Sequence, residues 1–226
     1  EVTFTTSAVY ANCGAITDID GNAYKTVIIG AQCWMQENLK TTRYRNGDPI
    51  PAGLSDDYWY STTSGAYVIY NNDIINNDIF GKLYNWYAVA DSRHLCPTGW
   101  HEPSDAEWTI LETYLINNYY GFGGDGNNIA KSMAATSGWE KSSLAGSVGN
   151  DQASNNSSGF TALPAGFFHY KGLFDYIGHI GFWWSSTEDE SGSDNAKCRY
   201  LKYDYLDIIN IQYDKHKGLS VRCIKD

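Results

Sequence analysis

Positive charge is scarce in this sequence: 16 Lys and Arg stand against 26 Asp and Glu, a formal net charge of −10 over 226 residues. That balance repels polyphosphate, so nucleic acid is not an expected partner and a neutral, cationic or sugar ligand suits the chain better. Long apolar runs are missing as well. No segment approaches the roughly 20 apolar residues needed to cross a bilayer, and no membrane span is expected. The sequence opens at Glu1 without a charged-then-apolar leader. If the protein is exported, we expect its leader, with any lipid anchor, to have been removed.

Cysteine is sparse and odd in number: Cys13, Cys33, Cys96, Cys198 and Cys223 form no C-x-x-C pair, which argues against a zinc knuckle or a thioredoxin-type site. One thiol is left free if the others pair. The histidines (His94, His101, His169, His179, His216) are scattered and show no H-E-x-x-H spacing, so no metal set and no cofactor is expected. Gly121 to Gly126 superficially resembles a phosphate-cradling loop, but no Lys-Ser/Thr follows and no clear strand precedes it, so it reads as a flexible loop.

What the chain has in quantity is aromatic and turn-forming residues, with 18 Tyr, 8 Trp and 22 Gly. Aromatics supply a core, and glycine with Asn, Ser and Asp supplies tight turns and long surface loops rather than long helices. A single domain from 13 to 226 is expected, preceded by an arm or linker over 1 to 12. Export, where disulfides survive, fits this composition.

Asp18-Ile19-Asp20-Gly21-Asn22 is a turn signal followed by the β-branched run 23 to 29, and together they predict a hairpin. The same turn imitates half of a calcium loop. Its twelfth position would be Ile29, which cannot ligate, so the turn reading is preferred. Ser104 to Glu107 is an S-x-x-E capping box, and Trp108, Leu111 and Leu115 give one face of a helix over about 105 to 116. A second short helix is expected over 127 to 135. The stretch 140 to 159 is small and polar, and reads as a long surface loop.

From Phe182 onward the period becomes 2. Leu201 and Tyr203, then Ile209, Ile211 and Tyr213, then Leu219, Val221 and Cys223 alternate with Tyr200 and Lys202, Asn210 and Gln212, Ser220 and Arg222. A half-buried antiparallel sheet with one polar face is predicted.

Several blocks in order carry a family resemblance: 18 to 24 (DIDGNAY), 32 to 39 (QCWMQENL), 83 to 89 (LYNWYAV), 96 to 108 (CPTGWHEPSDAEW), 182 to 188 (FWWSSTE) and 219 to 223 (LSVRC). Together they resemble the Fibrobacter succinogenes major paralogous domain, a family abundant in surface and secreted proteins. The block from Gly99 to Trp108 is also similar to the helix entry of formylglycine-generating enzymes and of retroelement-diversified variable proteins. The resemblance implies an α+β class with a C-type-lectin-like fold: antiparallel strands, two short helices, long loops, and a last strand returning beside the first.

Calcium-dependent lectins carry Glu-Pro-Asn or Gln-Pro-Asp with a later Trp-Asn-Asp, and neither pattern occurs here. Formylglycine-generating enzymes need a reactive late cysteine pair, whereas here Cys223 is in phase with Leu219 and Val221 and neither Cys198 nor Cys223 is read at a helix N-terminus or in a strongly cationic setting. An enzyme is therefore not expected. Pairing of Cys13 with Cys33 and of Cys96 with Cys223, leaving Cys198 free, is the expectation adopted, although sequence alone does not determine connectivity. Asp189, Glu190 and Asp194 read as a solvated acidic loop.

The remaining candidate site is polar and late: Tyr200, Lys202, Asp204, Tyr205, Asp207, Asn210, Gln212, Asp214 and His216. Tyr gives rigid amphipathic area and Asn and Asp give adaptable hydrogen bonds, the economy that enriches antibody loops. By the resemblance, this is the segment that retroelement-linked relatives diversify, with Cys198 a by-product of that variation. The expected function is an extracellular or surface module binding a protein or glycan. The alternative is a structural or adhesive cell-envelope or pilus-tip component with no small-molecule ligand, a reading that gains if the arm over 1 to 12 inserts as a strand into another chain.

Overall fold

The structure is a computed structural model describing residues 10–124, 126–169, 172–192 and 194–226. Most of the arm over 1 to 12 lies outside those residues. Its last part docks on the domain: Ala11 O accepts from Ile28 N, and the half-buried Tyr10 donates its hydroxyl to the Asn156 carbonyl.

The fold is α+β, with short strands and few short helices. Strands β1 (Ile16–Thr17) and β2 (Ala23–Tyr24) form the predicted hairpin, with Ile16 opposite Tyr24. Asp18 shapes its turn by accepting from the amides of Asp20 and Asn22 and from the Tyr24 hydroxyl at 2.6 Å. These donors occupy the carboxylate that a calcium loop would turn to its ion.

β3 (Thr26–Ile29) and β4 (Gln32–Met35) pair antiparallel. Next come α1 (Asp56–Ser61), β5 (Tyr67–Val68), α2 (Ile74–Phe80), β6 (Leu83–Tyr84), α3 (Trp86–Val89) and β7 (Trp100–His101). The three helices are departures from the sequence reading. Each is a turn or two started by a side-chain cap, Ser55, Asp73 or Asn85, too short to produce a hydrophobic period.

α4 (Asp105–Asn117) is the predicted helix, capped by reciprocal Ser104 and Glu107 bonds and burying Trp108, Leu111 and Leu115. The second predicted helix shrinks to α5 (Ala130–Met133). The expected surface loop at 140 to 159 folds inward in part, burying Ser147, Val148, Asn155 and Ser158. Asn155 Nδ2 donates to the carbonyls of Ala135 and Val148, which satisfies backbone that a buried loop would otherwise strand.

β8 (Ala165–Phe168), β9 (Phe174–Ile177), β10 (Ile180–Glu188), β11 (Asn195–Lys202) and β12 (Ile209–Asp214) build a five-stranded sheet in the order β12-β11-β10-β8-β9. β13 (Ile224–Lys225) closes the chain between β4 and β7, with Ile224 opposite Trp34 and His101. Disulfides join Cys13 to Cys33 and Cys96 to Cys223, as expected, and Cys198 is a buried free thiol.

The alternation on β10 divides the core. Trp183 enters a cluster with Trp34, Trp108, Leu111, Phe160 and Leu201, whereas Phe182 and Trp184 enter another with Tyr84, Trp86, Phe167, Cys198, Val221 and Cys223. Full burial of one large apolar side chain is worth about 1.5–3 kcal/mol, and the two clusters together make up most of the buried core. The expected third strand over 219 to 223 with a polar face is corrected. Leu219 and Ser220 make isolated bridges to Tyr84 and Trp183, and Ser220 and Arg222 are wholly buried.

Candidate ligand-binding face

The hairpin of β11 and β12 carries most of the expected site, and its register decides which side chains meet. Cys198 is opposite Ile211, Arg199 opposite Asn210, and Tyr200 opposite Ile209. Directly opposed residues share a side, so even-numbered residues of β11 lie with odd-numbered residues of β12. Phe182 opposite Tyr200 and Ile180 opposite Lys202 extend the first side onto β10.

The candidate set is therefore split, which corrects the expectation of one polar face. Tyr200 and Lys202 stand with Ile209, Ile211 and Tyr213. Asn210 and Gln212 lie on the other side with Lys197 and Arg199, facing the start of α4. There Asp105 takes Arg199 Nη1 at 2.6 Å, Lys197 Nζ at 3.1 Å and Asn210 Nδ2 at 3.3 Å.

Arg199 is fully buried and also reaches Glu112 at 2.5 Å. Burial pushes the Asp105 carboxyl up, but the Arg199 and Lys197 donors outweigh it and hold the group below its ordinary value. For Glu112 the balance reverses: burial exceeds the pull of Arg199 and the carboxyl is raised. Gln212 is likewise engaged, donating to Asp189 at 2.9 Å. This side of the hairpin is a joint between sheet and helix.

The first side is aromatic. The Tyr213 ring stacks on Phe182 at 5.4 Å, Tyr200 tilts against Phe182 at 5.1 Å, and Tyr205 lies 6.2 Å from Tyr200. Lys202 Nζ sits 4.7 Å over the Tyr205 ring and 3.0 Å from Asp204. Tyr205 is 38% exposed, and this cluster joins four of the expected residues at the β11 end of the hairpin.

Beyond the hairpin the aromatic row continues through Phe167 to Tyr176 on β9, stacked at 5.9 Å and 10°. Tyr176 is 54% exposed and has φ 64°, a left-handed conformation that is strained for a bulky side chain. It was not among the expected residues. The signal that finds it is the aromatic pair Phe174 and Tyr176 at strand spacing after Gly172.

Burial pushes the Tyr213 hydroxyl up to about 12, with Cys198 adding to it, and burial followed by Tyr205 raises Tyr200. Both phenols are neutral at physiological pH. The Asp204 carboxylate raises Lys202, keeping it charged.

The last candidates lie elsewhere. Asp214 Oδ1 accepts from His216 N and stands 3.0 Å from its Nδ1, and the imidazole lies between Tyr60 and Tyr87 with ring centroids at 5.3 and 5.2 Å. Asp207 lines a 310 Å³ cleft with Glu112, Asn127 and Ile129, and its Oδ1 is buried with no hydrogen-bond partner among the described residues. Cys198 is packed beneath the aromatic row, where burial raises its thiol well above the ordinary value. It is a core residue.

The sequence model of the Fibrobacter succinogenes major domain matches residues 27–225. The chain belongs to this family. No curated protein and no solved structure matches it.

Within this Fibrobacter succinogenes major domain, the blocks that carry the resemblance meet in the interior. Trp183 Nε1 and Arg222 Nη2 both donate to Asn38 Oδ1 at 2.9 Å. Trp184 Nε1 donates to Tyr84 O, Trp86 Nε1 to Ser185 O, and Glu102 accepts the amides of Leu95 and Cys96. The aromatic row is thus mounted on an interlocked frame, which holds its exposed rings in fixed positions.

Proposed function

We propose that this domain is a binding module that recognises a protein or glycan through the aromatic side of its late strands, without transforming the ligand. The observation that carries the reading is the continuous row Tyr176, Phe167, Tyr213, Phe182, Tyr200, Tyr205, in which exposed rings rest on buried ones. Rigid tyrosines lose little entropy on binding and offer both a flat apolar surface and a hydroxyl. Lys202 beside Tyr205 adds a charge-assisted donor.

Tyr200, Lys202, Asp204 and Tyr205 form the contact set at one end of the row and Tyr176 at the other. The left-handed backbone of Tyr176 supports the reading, because strained residues cluster at ligand-contacting sites. A C-type-lectin-like fold is part of the proposal. It is supported by the capped α4, the long irregular loops and the return of β13 between β4 and β7. Extracellular or cell-surface location is supported by the disulfides.

Diversification by a retroelement fits only a restricted window. Ala196, Cys198, Arg199 and Leu201 are wholly buried, so a varying segment would have to spare them. A template copy of residues 183 to 226 beside a reverse transcriptase, with changes confined to the surface positions, is the outcome this reading requires.

The test is a glycan and protein array probed with the purified domain and with Tyr205→Ala and Tyr176→Gly. Hits that both variants lose support the reading, and hits indifferent to both reject this face. A structural or adhesive envelope role is the second reading, favoured by Ile74, Ile75 and Ile79 standing 64%, 62% and 52% exposed on α2. Self-association that Ile75→Asp abolishes, with no array hit, would select it.

A further inference from the structure

Three of the five arginines of this chain hold carboxylates. Arg43 holds Asp20, Arg93 holds Asp48 and Asp91, and Arg199 holds Asp105 and Glu112. Arg222 is enclosed by Phe160, Asn38 and Trp183. Arg45 has no carboxylate within 4.0 Å among the described residues, and it borders a cleft of 320 Å³.

Two backbone carbonyls fix its guanidinium. Nε donates to Cys96 O at 2.8 Å and Nη2 to Trp100 O at 2.5 Å, while Nη1 has no hydrogen-bond partner among the described residues. Carbonyls orient a guanidinium without neutralising it. The result is a held positive charge on a molecule whose net charge is −10.

The lining is mixed: Ile16, Ile19, Leu95 and Pro97 supply its apolar part, and Thr17, Asp18 and the exposed Thr98 stand with Arg45 in its polar part. The Asp18 carboxylate is turned to the amides of Asp20 and Asn22, the Asn22 side chain and the Tyr24 hydroxyl, which hold it in place and leave its negative charge. Ile19 is 46% exposed, an apolar wall without a cover.

We propose that this cleft binds a small monocarboxylate with an aliphatic body, its carboxylate on Arg45 and its chain against Ile16, Ile19 and Leu95. The free Nη1 of a single guanidinium matches one carboxylate, whereas a phosphate dianion would carry twice the charge past the Asp18 carboxylate with no second cation to balance it. The site shares no residue with the aromatic row and does not depend on it.

The experiment is a two-dimensional amide NMR titration of the whole chain with hexanoate, and in parallel with hexanol and inorganic phosphate. Hexanoate is expected to give saturable shifts at Ile16, Ile19 and Thr98, with hexanol and phosphate each at least about tenfold weaker. Because Arg45→Gln also removes the clamp on 96 to 100, the deciding variant is Ile19→Glu, which places a like charge at an exposed position and is expected to weaken hexanoate at least about tenfold. No saturable shift, equal binding of hexanol or phosphate, or indifference to Ile19→Glu each overturns the proposal.

Discussion

Asn38 and Arg222, 184 residues apart in sequence, are joined by a 2.9 Å hydrogen bond inside the core. The same Asn38 oxygen accepts from Trp183, and its amide nitrogen donates to Phe80 O and Ser220 Oγ. Arg222 is a wholly buried cation whose Nη groups also donate to the carbonyls of Phe160 and Thr161, whose Nε is buried with no hydrogen-bond partner among the described residues, and whose face rests on the Phe160 ring. Burial lowers its pKa, so each acceptor around it matters. Asn38→Ala leaves a buried guanidinium and an indole N–H short of an acceptor, and is expected to cost about 3–5 kcal/mol in urea unfolding. A loss below about 1 kcal/mol would show that the guanidinium finds another acceptor.

The two sides of the β11–β12 hairpin separate stability from recognition. Asn210→Ala removes a donor to Asp105 and is expected to cost about 0.5–1.5 kcal/mol with ligand capture unchanged. Tyr205→Ala removes an exposed ring and is expected to weaken capture while moving the unfolding midpoint little. Paired urea and array measurements on the two variants check this, and an exchange of the two phenotypes would place the contact face on the wrong side of the sheet.

Tyr176 offers a sharper version. At φ 64° glycine is relaxed where tyrosine is strained, so Tyr176→Gly recovers about 1 kcal/mol of backbone strain and loses the stack on Phe167. Stability is expected to change by less than about 1 kcal/mol, whereas ligand capture falls. A clear destabilisation with capture intact would make Tyr176 a structural residue.

Local features were the legible part of this sequence. The Ser104 box, the Asp18 turn and the period of Trp108, Leu111 and Leu115 all involve partners within a few residues, where chain geometry leaves little choice. The split of the candidate site was not legible. Residues 203 to 208 connect β11 to β12, and a connection of that length does not set the register, yet a shift of one residue exchanges the two sides. Reading Tyr200 with Asn210 took the polar residues of each strand to share a side, whereas register pairs Tyr200 with Ile209. Arg222 misled for a related reason: its charge suggests solvent, and only residues far away in sequence reveal that acceptors and rings are waiting for it.

The free thiol gives a direct readout of the core. Cys198 is wholly buried beneath the aromatic row and burial raises its pKa, so both access and thiolate content are suppressed in the native state. A thiol reagent at neutral pH is expected to leave the native protein unlabelled over hours and to modify one cysteine promptly in urea. Rapid labelling without denaturant would mean that the sheet opens there.

His101 couples the end of the chain to the start of α4 and makes stability depend on pH. Its Nε2 lies 2.7 Å from Glu107 and its Nδ1 2.6 Å from Asp226, which joins β7, the capping box and the residue after β13. Burial works against the imidazolium, but the two carboxylates outweigh it and raise the pKa above the ordinary 6.5. Glu107 moves the other way: burial pushes it up, and the Ser104 and His101 donors more than compensate, leaving it below 4.5. A raised folded pKa means that the His101 contribution is full below the unfolded value of about 6.5 and is lost as pH climbs through the folded one. The depressed Glu107 contributes above its unfolded value and loses its effect as pH falls through the folded one. The clamp is thus strongest in mildly acidic solution, between those limits. His101→Gln is expected to flatten the decline of the urea midpoint from pH 6 to pH 9, and an NMR titration should place the His101 midpoint above that of a free imidazole. A wild-type midpoint that stays level across that range, or a His101 titration at or below 6.5, would remove the clamp from the account of stability.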